Sequence, residues 1–233
     1  MRIVSLVPSV TESLLAWGIE PVACTRFCEQ PQLRHVGGTK DPDITAIVGL
    51  SPDMVVVDRE ENRRDDAVEL ARRGLRVADL HVTSLASAEA ETRRLAELVG
   101  AKFDPSRATT CTPPRVRAFV PIWRRPWMTI NAATYGASLL ASIGVAVSHG
   151  DASSPYPTVS SGELARLCEE RGVGVVLLPT EPYAFADRHV PEVVSATGIN
   201  DVRIIDGRDL FWWGVRTKGA RERLTGVLAD LLG

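Results

Sequence analysis

Met54-Val55-Val56-Val57 is an unbroken apolar run four residues long, preceded by Ser51-Pro52-Asp53 and followed by the charged stretch Asp58-Arg59-Glu60-Glu61-Asn62. A strand with one wet face would alternate. This one does not, so it reads as a strand buried on both faces of a parallel sheet. Downstream, the spacing predicts a helix over Glu60–Arg73 stopped by Gly74, a strand over Leu75–Leu80, and a helix over Ser84–Val99 stopped by Gly100. Upstream, Arg2–Val7 reads as a first strand, Pro21–Thr25 as a second apolar run, and Asp43–Gly49 as a short helix. Ser9 followed by Glu12 has capping-box spacing, which predicts a helix from Val10 to about Trp17 closed by Gly18. Strands alternating with helices imply an α/β lobe with a parallel sheet flanked by helices.

The alternation stops at Gly100 and restarts after a Pro-rich segment. Asp104–Pro114 holds Pro105, Pro113 and Pro114 and reads as an interlobe linker. Beyond it, strands are expected at Arg115–Ile122, Gly174–Leu178 and Val202–Ile205. Helices are expected at Ala132–Ile143, Ser160–Arg171, Asp187–Thr197 and Arg216–Leu232. The division is therefore 1–103 for an N-terminal α/β lobe, 104–114 for the linker and 115–233 for a C-terminal α/β lobe. Function is expected at strand C-terminal ends, in a cleft between the lobes.

Composition narrows the function class. With 27 basic and 29 acidic side chains the net charge is −2, which argues against nucleic acid or anionic lipid held by bulk charge. No apolar run is long enough for membrane insertion. Met1-Arg2 and the following apolar residues are interrupted by Pro8 and Glu12, so no signal peptide is read and the chain as written is expected to be cytoplasmic, or periplasmic or extracellular if a leader has been removed. Cys24 and Cys28 have no matching second pair, so no metal site is expected.

Catalytic motifs are equally scarce. Gly37-Gly38-Thr39-Lys40 has Thr and Lys in the wrong order for a phosphate loop, and neither GxGxxG nor GxSxG occurs. His35, His81, His149 and His189 are not paired at metal-ligand spacing. A small-molecule enzyme using His149 with Asp151, or His189, in acid-base roles is the alternative from a different class.

Aromatics are only 6% of the chain, yet most follow strands: Phe27, Trp123, Trp127, Tyr183, Phe185, Trp212 and Trp213. A core would normally absorb such rings. Their placement suggests a cleft lined by flat apolar surfaces, to which Glu60 and Asn62 add polar groups.

The motifs also carry a resemblance. Arg2-Ile3-Val4-Ser5-Leu6-Val7-Pro8-Ser9, Val36-Gly37-Gly38-Thr39-Lys40-Asp41-Pro42, Leu50-Ser51-Pro52-Asp53, Trp123-Arg124-Arg125-Pro126-Trp127 and Leu177-Leu178-Pro179-Thr180-Glu181-Pro182-Tyr183 occur in order along the chain. Together they resemble the helical-backbone (class III) periplasmic-binding-protein-like family, in its short cobalamin- and iron-siderophore-binding form. The resemblance implies a non-enzymatic protein that needs no cofactor and holds a bulky small-molecule ligand, cobalamin or another corrinoid, against Phe27, Glu60, Asn62, Trp123, Trp127, Tyr183, Phe185, Trp212 and Trp213. It also implies an ABC permease as partner if the chain is exported, with Asp65 and Asp187 or Glu192 roughly where the family presents acidic docking residues, and a cytosolic derivative of such a binder if it is not. An iron siderophore or haem is the alternative ligand, with Arg26, Arg59, Arg124 and Arg125 available to an anionic chelate. The family's long connecting helix is expected to be shortened or missing, because Pro113-Pro114 cannot lie inside a helix.

Overall fold

The computed structural model describes residues 1–105 and 112–233. The chain forms two compact units. One comprises Met1–Ser106 together with Trp213–Arg216, and the other comprises the remainder. Ala101–Pro105 and residues 112–114 carry no helix, and the rest of the expected linker, 106–111, lies outside the described residues.

The first unit is built on a parallel sheet of β1 (Ile3–Ser5), β2 (Ala23–Cys24), β3 (Met54–Asp58) and β4 (Val77–Leu80), in the order β2-β1-β3-β4. All five residues of β3 are buried, as its unbroken apolar run requires, whereas β4 at the edge alternates. Around the sheet lie α1 (Pro8–Ala16), α2 (Ile44–Gly49), α3 (Arg64–Arg72) and α4 (Leu85–Val99). Asp43 caps α2 by accepting from the Ala46 amide, and Ser84 caps α4 by accepting from Ser87. Val4, Leu6, Val36, Ile47, Val55, Val57 and Leu70 form the core of this unit.

The start of α1 departs from expectation. Pro8 occupies the first helical turn, a position suited to its fixed φ, so the helix begins earlier and Ser9 lies inside it. The Ser9 Oγ accepts from the Trp213 amide at 3.2 Å, and Glu12 forms a bidentate pair with Arg216 at 2.5–3.0 Å. What resembled a capping box is the seat of a returning strap, residues 213–216.

In the second unit the sheet contains β5 (Val116–Phe119), a two-stranded ribbon pairs β6 (Trp127–Met128) with a later strand, and α5 (Tyr135–Ala141) leads to β7 (Val145–Val147). Next come β8 (Thr158–Val159), which completes the ribbon, α6 (Leu164–Glu170), β9 (Val175–Pro179), α7 (Val190–Thr197) and β10 (Val202–Ile205). The main sheet runs β10-β9-β5-β7 and is parallel throughout. Three helices follow: α8 (Gly207–Phe211), α9 (Thr217–Val227) and α10 (Ala229–Leu232). β6, β7, β8 and α8 were not anticipated, since each is five residues or fewer and too short to show a period.

Candidate functional site

Because each sheet is parallel, the C-terminal ends of its strands lie on one edge, and the loops there are the natural place for a ligand. In the first unit that edge carries Thr25–Cys28 after β2, Arg59–Asn62 after β3 and His81 after β4. Asn62 organises it from below. Its Oδ1 accepts from the Asp58 amide at 2.9 Å, and its Nδ2 donates to the carbonyls of Leu6 at 3.1 Å and Thr39 at 2.9 Å. The Lys40 ammonium then donates to the Glu60 carbonyl at 2.8 Å, and His81 Nε2 stands 3.6 Å from the Glu60 carboxylate. Asn62 is 6% exposed and its amide is spent on backbone groups, so it braces the loop, while Glu60 beside it is half-buried.

Phe27 projects from a single 3-10 turn, Arg26–Cys28, and is 51% exposed. The Arg26 guanidinium lies 4.8 Å from its ring centroid and bridges to Asp41 at 3.1 Å. Gly38 makes this arrangement possible, because a Cβ there would collide with both Arg26 and Asp41. The Gly37-Gly38 pair thus serves close side-chain approach to a turn.

Asp58 ends β3 with its carboxyl almost wholly enclosed. Oδ1 accepts from the Glu60 amide at 2.8 Å, and Oδ2 has no hydrogen-bond partner among the described residues. Burial dominates and pushes its pKa up to about 7, with the nearby Glu61 and Glu60 carboxylates adding to the rise and the Glu60 and Val82 amides opposing it. The Glu61 carboxyl is likewise raised by burial, which Lys40 partly offsets.

In the second unit the corresponding edge carries Trp123 beyond β5 and Tyr183 beyond β9. A bridge between Trp123 and Met128 closes a short hairpin through Arg124, Arg125 and the cis Pro126. Trp123 is 45% exposed, with its ring edge-on to Tyr183 at 5.3 Å. Tyr183 in turn packs at 4.7 Å on Phe185, and both rings meet His189 at 5.6–5.7 Å. An aromatic ladder therefore runs from the exposed Trp123 into the core.

The remaining aromatics expected at a ligand are buried. Trp127 and Phe185 stack at 6.5 Å inside the core of the second unit and are 3% and 2% exposed. Trp127 is enclosed because β6 pairs with β8, and Phe185 because the loop after β9 folds back onto α7 through the His189 bond to the Ala186 amide. Trp212 and Trp213 are also buried, Trp213 as the first residue of the strap on α1. Sequence position put all four after strands, but burial depends on which neighbouring segment closes over them.

All four arginines considered for an anionic chelate have carboxylate partners. Arg26 pairs with Asp41, Arg59 with Asp79 at 2.9 Å, and Arg124 and Arg125 with Glu192. Glu192 is thereby engaged, whereas Asp65 and Asp187 are exposed. The residues named for acid-base work are also committed. Asp151 is held by Arg171 at 2.6 Å, His149 Nδ1 meets Ser148 Oγ at 2.8 Å within a buried pair, and His189 Nδ1 accepts from the Ala186 amide. Burial lowers the pKa of both histidines. Among the described residues no group of three or more His, Cys, Asp or Glu could hold a metal ion, and no helix is long and apolar enough to cross a membrane.

Comparison with known proteins agrees with this architecture. Residues 3–108 match the periplasmic binding protein family. The vitamin B12-binding protein of Pectobacterium carotovorum subsp. carotovorum (strain PC1) is 23% identical over 186 residues, covering 71% of this chain and 67% of that protein. Among solved structures, the periplasmic vitamin B12 binding protein BtuF of Vibrio cholerae superimposes with a TM-score of 0.76 at 19% identity, over 99% of this chain and 97% of that one. The periplasmic haem-binding protein RhuT from Roseiflexus sp. RS-1 does so with a TM-score of 0.79 at 18% identity, over 100% and 99%. The first unit carries the sequence pattern of the periplasmic binding proteins, and the whole chain has their fold.

Proposed function

We propose, with the periplasmic-binding-protein fold as premise, that this chain is a non-enzymatic receptor for a bulky corrinoid-type ligand, cobalamin or a close analogue, serving an ABC importer. The observation that carries the reading is the pair of large exposed rings, Phe27 and Trp123, each at the strand C-terminal edge of its own unit. Each is held in place, Phe27 against Arg26 and Trp123 against Tyr183. Rigid exposed rings offer apolar contact at little entropic cost, and each presents a surface on which the flat face of a macrocycle can lie. Glu60 supplies an acceptor for peripheral amides of the corrin. The similarity in sequence to a vitamin B12-binding protein supports the same ligand.

Haem or an iron siderophore is the second reading, favoured by the fold shared with a haem-binding protein. Against it, the arginines that an anionic chelate would recruit already face Asp41, Asp79 and Glu192. An anionic ligand would have to break those pairs.

Parallel calorimetric titrations with cyanocobalamin, haemin and ferrioxamine test the assignment. Saturable one-to-one heat with cyanocobalamin at micromolar or lower concentration is expected. Binding of haemin or ferrioxamine with no cobalamin heat would replace the corrinoid reading, and no binding of any of the three would remove the receptor role. Co-purification with the membrane permease of a neighbouring import operon tests the importer assignment, and fractionation tests the exported location that it demands.

A further inference from the structure

Beside the Phe27 turn lies a cluster that ligand binding does not use. Cys24, the last residue of β2, and Cys28, the last of the 3-10 turn, are 0% and 1% exposed and pack together with Leu33. Two hydroxyls also converge on Cys28 Sγ, Thr11 Oγ1 from α1 at 3.2 Å and Thr25 Oγ1 at 3.3 Å. Ser5 Oγ stands behind Thr11 at 2.8 Å, so the sulfur sits at the end of a buried hydroxyl chain.

We propose that Cys24 and Cys28 are a redox-active dithiol that closes to an intramolecular disulfide, tying the end of β2 to the turn that carries Phe27. The two sulfurs are unequal in the way such chemistry requires. Donation from Cys24, reinforced by Thr11 and Thr25, outweighs burial and lowers the Cys28 pKa to about 6, while the same contact and burial raise Cys24. Cys28, with two hydroxyls on its sulfur, is therefore the better nucleophile of the pair and Cys24 the resolving thiol. Enclosure on all sides limits the oxidant to a small hydroperoxide. The Cys28 thiolate attacks the peroxide, its S–O bond forming as the O–O bond breaks and hydroxide leaving. Cys24 then attacks the sulfenic sulfur: the S–S bond forms, the S–O bond breaks, and the departing hydroxide takes the Cys24 proton as water. Two thiols are oxidised by two electrons and one hydroperoxide is reduced.

The chemistry needs no ligand, so its test is separate from that of the receptor role. Full-length protein is treated with hydrogen peroxide, denatured, alkylated and digested with trypsin without reduction. Cleavage at Arg2, Arg26 and Arg34 places Cys24 and Cys28 on different peptides, Ile3–Arg26 and Phe27–Arg34. The expected result is those two peptides joined, lighter by two hydrogens than their sum, and separated again by a phosphine. With Cys24→Ser the sulfenic acid on Cys28 should persist and be trapped by dimedone. Recovery of both cysteines fully alkylated after peroxide overturns the proposal. So does linkage of either to Cys111 or Cys168, or oxidation of Cys28 beyond the sulfenic level in the wild-type protein while Cys24 stays alkylated.

Discussion

The ring of Trp123 stands nearly perpendicular to that of Tyr183, at 84° and 5.3 Å between centroids, while 45% of the tryptophan surface remains in solvent. An edge-to-face contact holds one side of the indole and leaves the other open. Trp123→Ala should therefore weaken cobalamin binding by about 1–3 kcal/mol with little change in melting temperature. Trp127→Ala should do the reverse. Its ring is enclosed against Phe185, so truncation is expected to cost about 3–5 kcal/mol of stability. Calorimetric titration and chemical denaturation of the two variants, side by side, separate these outcomes.

Asn62 joins three segments of the first unit through one side chain. Asn62→Ala leaves the Asp58 amide and the carbonyls of Leu6 and Thr39 without that partner, which should cost roughly 2–4 kcal/mol by urea unfolding. Asn62→Asp should be no better at neutral pH, since a carboxylate would face two carbonyl oxygens.

The Asp58 carboxyl gives the first unit a pH-dependent stability of definite sign. Its folded-state pKa of about 7 lies above the unfolded value of about 3.9. The native state thus holds the proton more tightly, and the contribution is fully present below pH 4 and is lost as the pH rises through 7. Asp58→Asn keeps an oxygen for the Glu60 amide and cannot ionise. Denaturation midpoints from pH 4 to 8 should show the variant gaining on the wild type by roughly 2–4 kcal/mol across that range. A constant difference would show that Asp58 titrates normally.

The strap at 213–216 depends on Gly214, whose φ is +99° and where a Cβ would collide with Ser13 Oγ. Gly214→Ala combines an unfavourable backbone region with that collision, so a loss of about 2–3 kcal/mol is expected in thermal or urea melts. Arg216→Ala removes the bidentate pair with Glu12, both partners being largely shielded from solvent, and should cost about 1–2 kcal/mol.

What the amino-acid sequence determined by itself is the layered α/β plan, because period and punctuation are local. The run at 54–57, the helices expected from Asp43 and Ser84, and the stop at Gly100 all appear in the structure close to where they read. The loops of both strand edges could also be named in advance, since they follow from strand order along the chain.

Only tertiary structure decided which rings within those loops face solvent. Phe27 and Trp123 stay out, whereas Trp127 and Phe185 turn in: Trp127 through the long-range β6–β8 pairing, and Phe185 through the fold-back of its loop, held by the local His189–Ala186 bond. Asn62 gave no local sign of being a brace, because two of its three partners are 23 and 56 residues away. The polar face of α1, with Glu12 and Ser13 three and four residues after Ser9 on a buried helix, did carry a signal that something polar must cover it. That the cover is Trp213–Arg216, some 200 residues later, is a fact of folding. Side-chain period is written in neighbouring residues, but burial and hydrogen-bond satisfaction are set by whatever distant segment arrives.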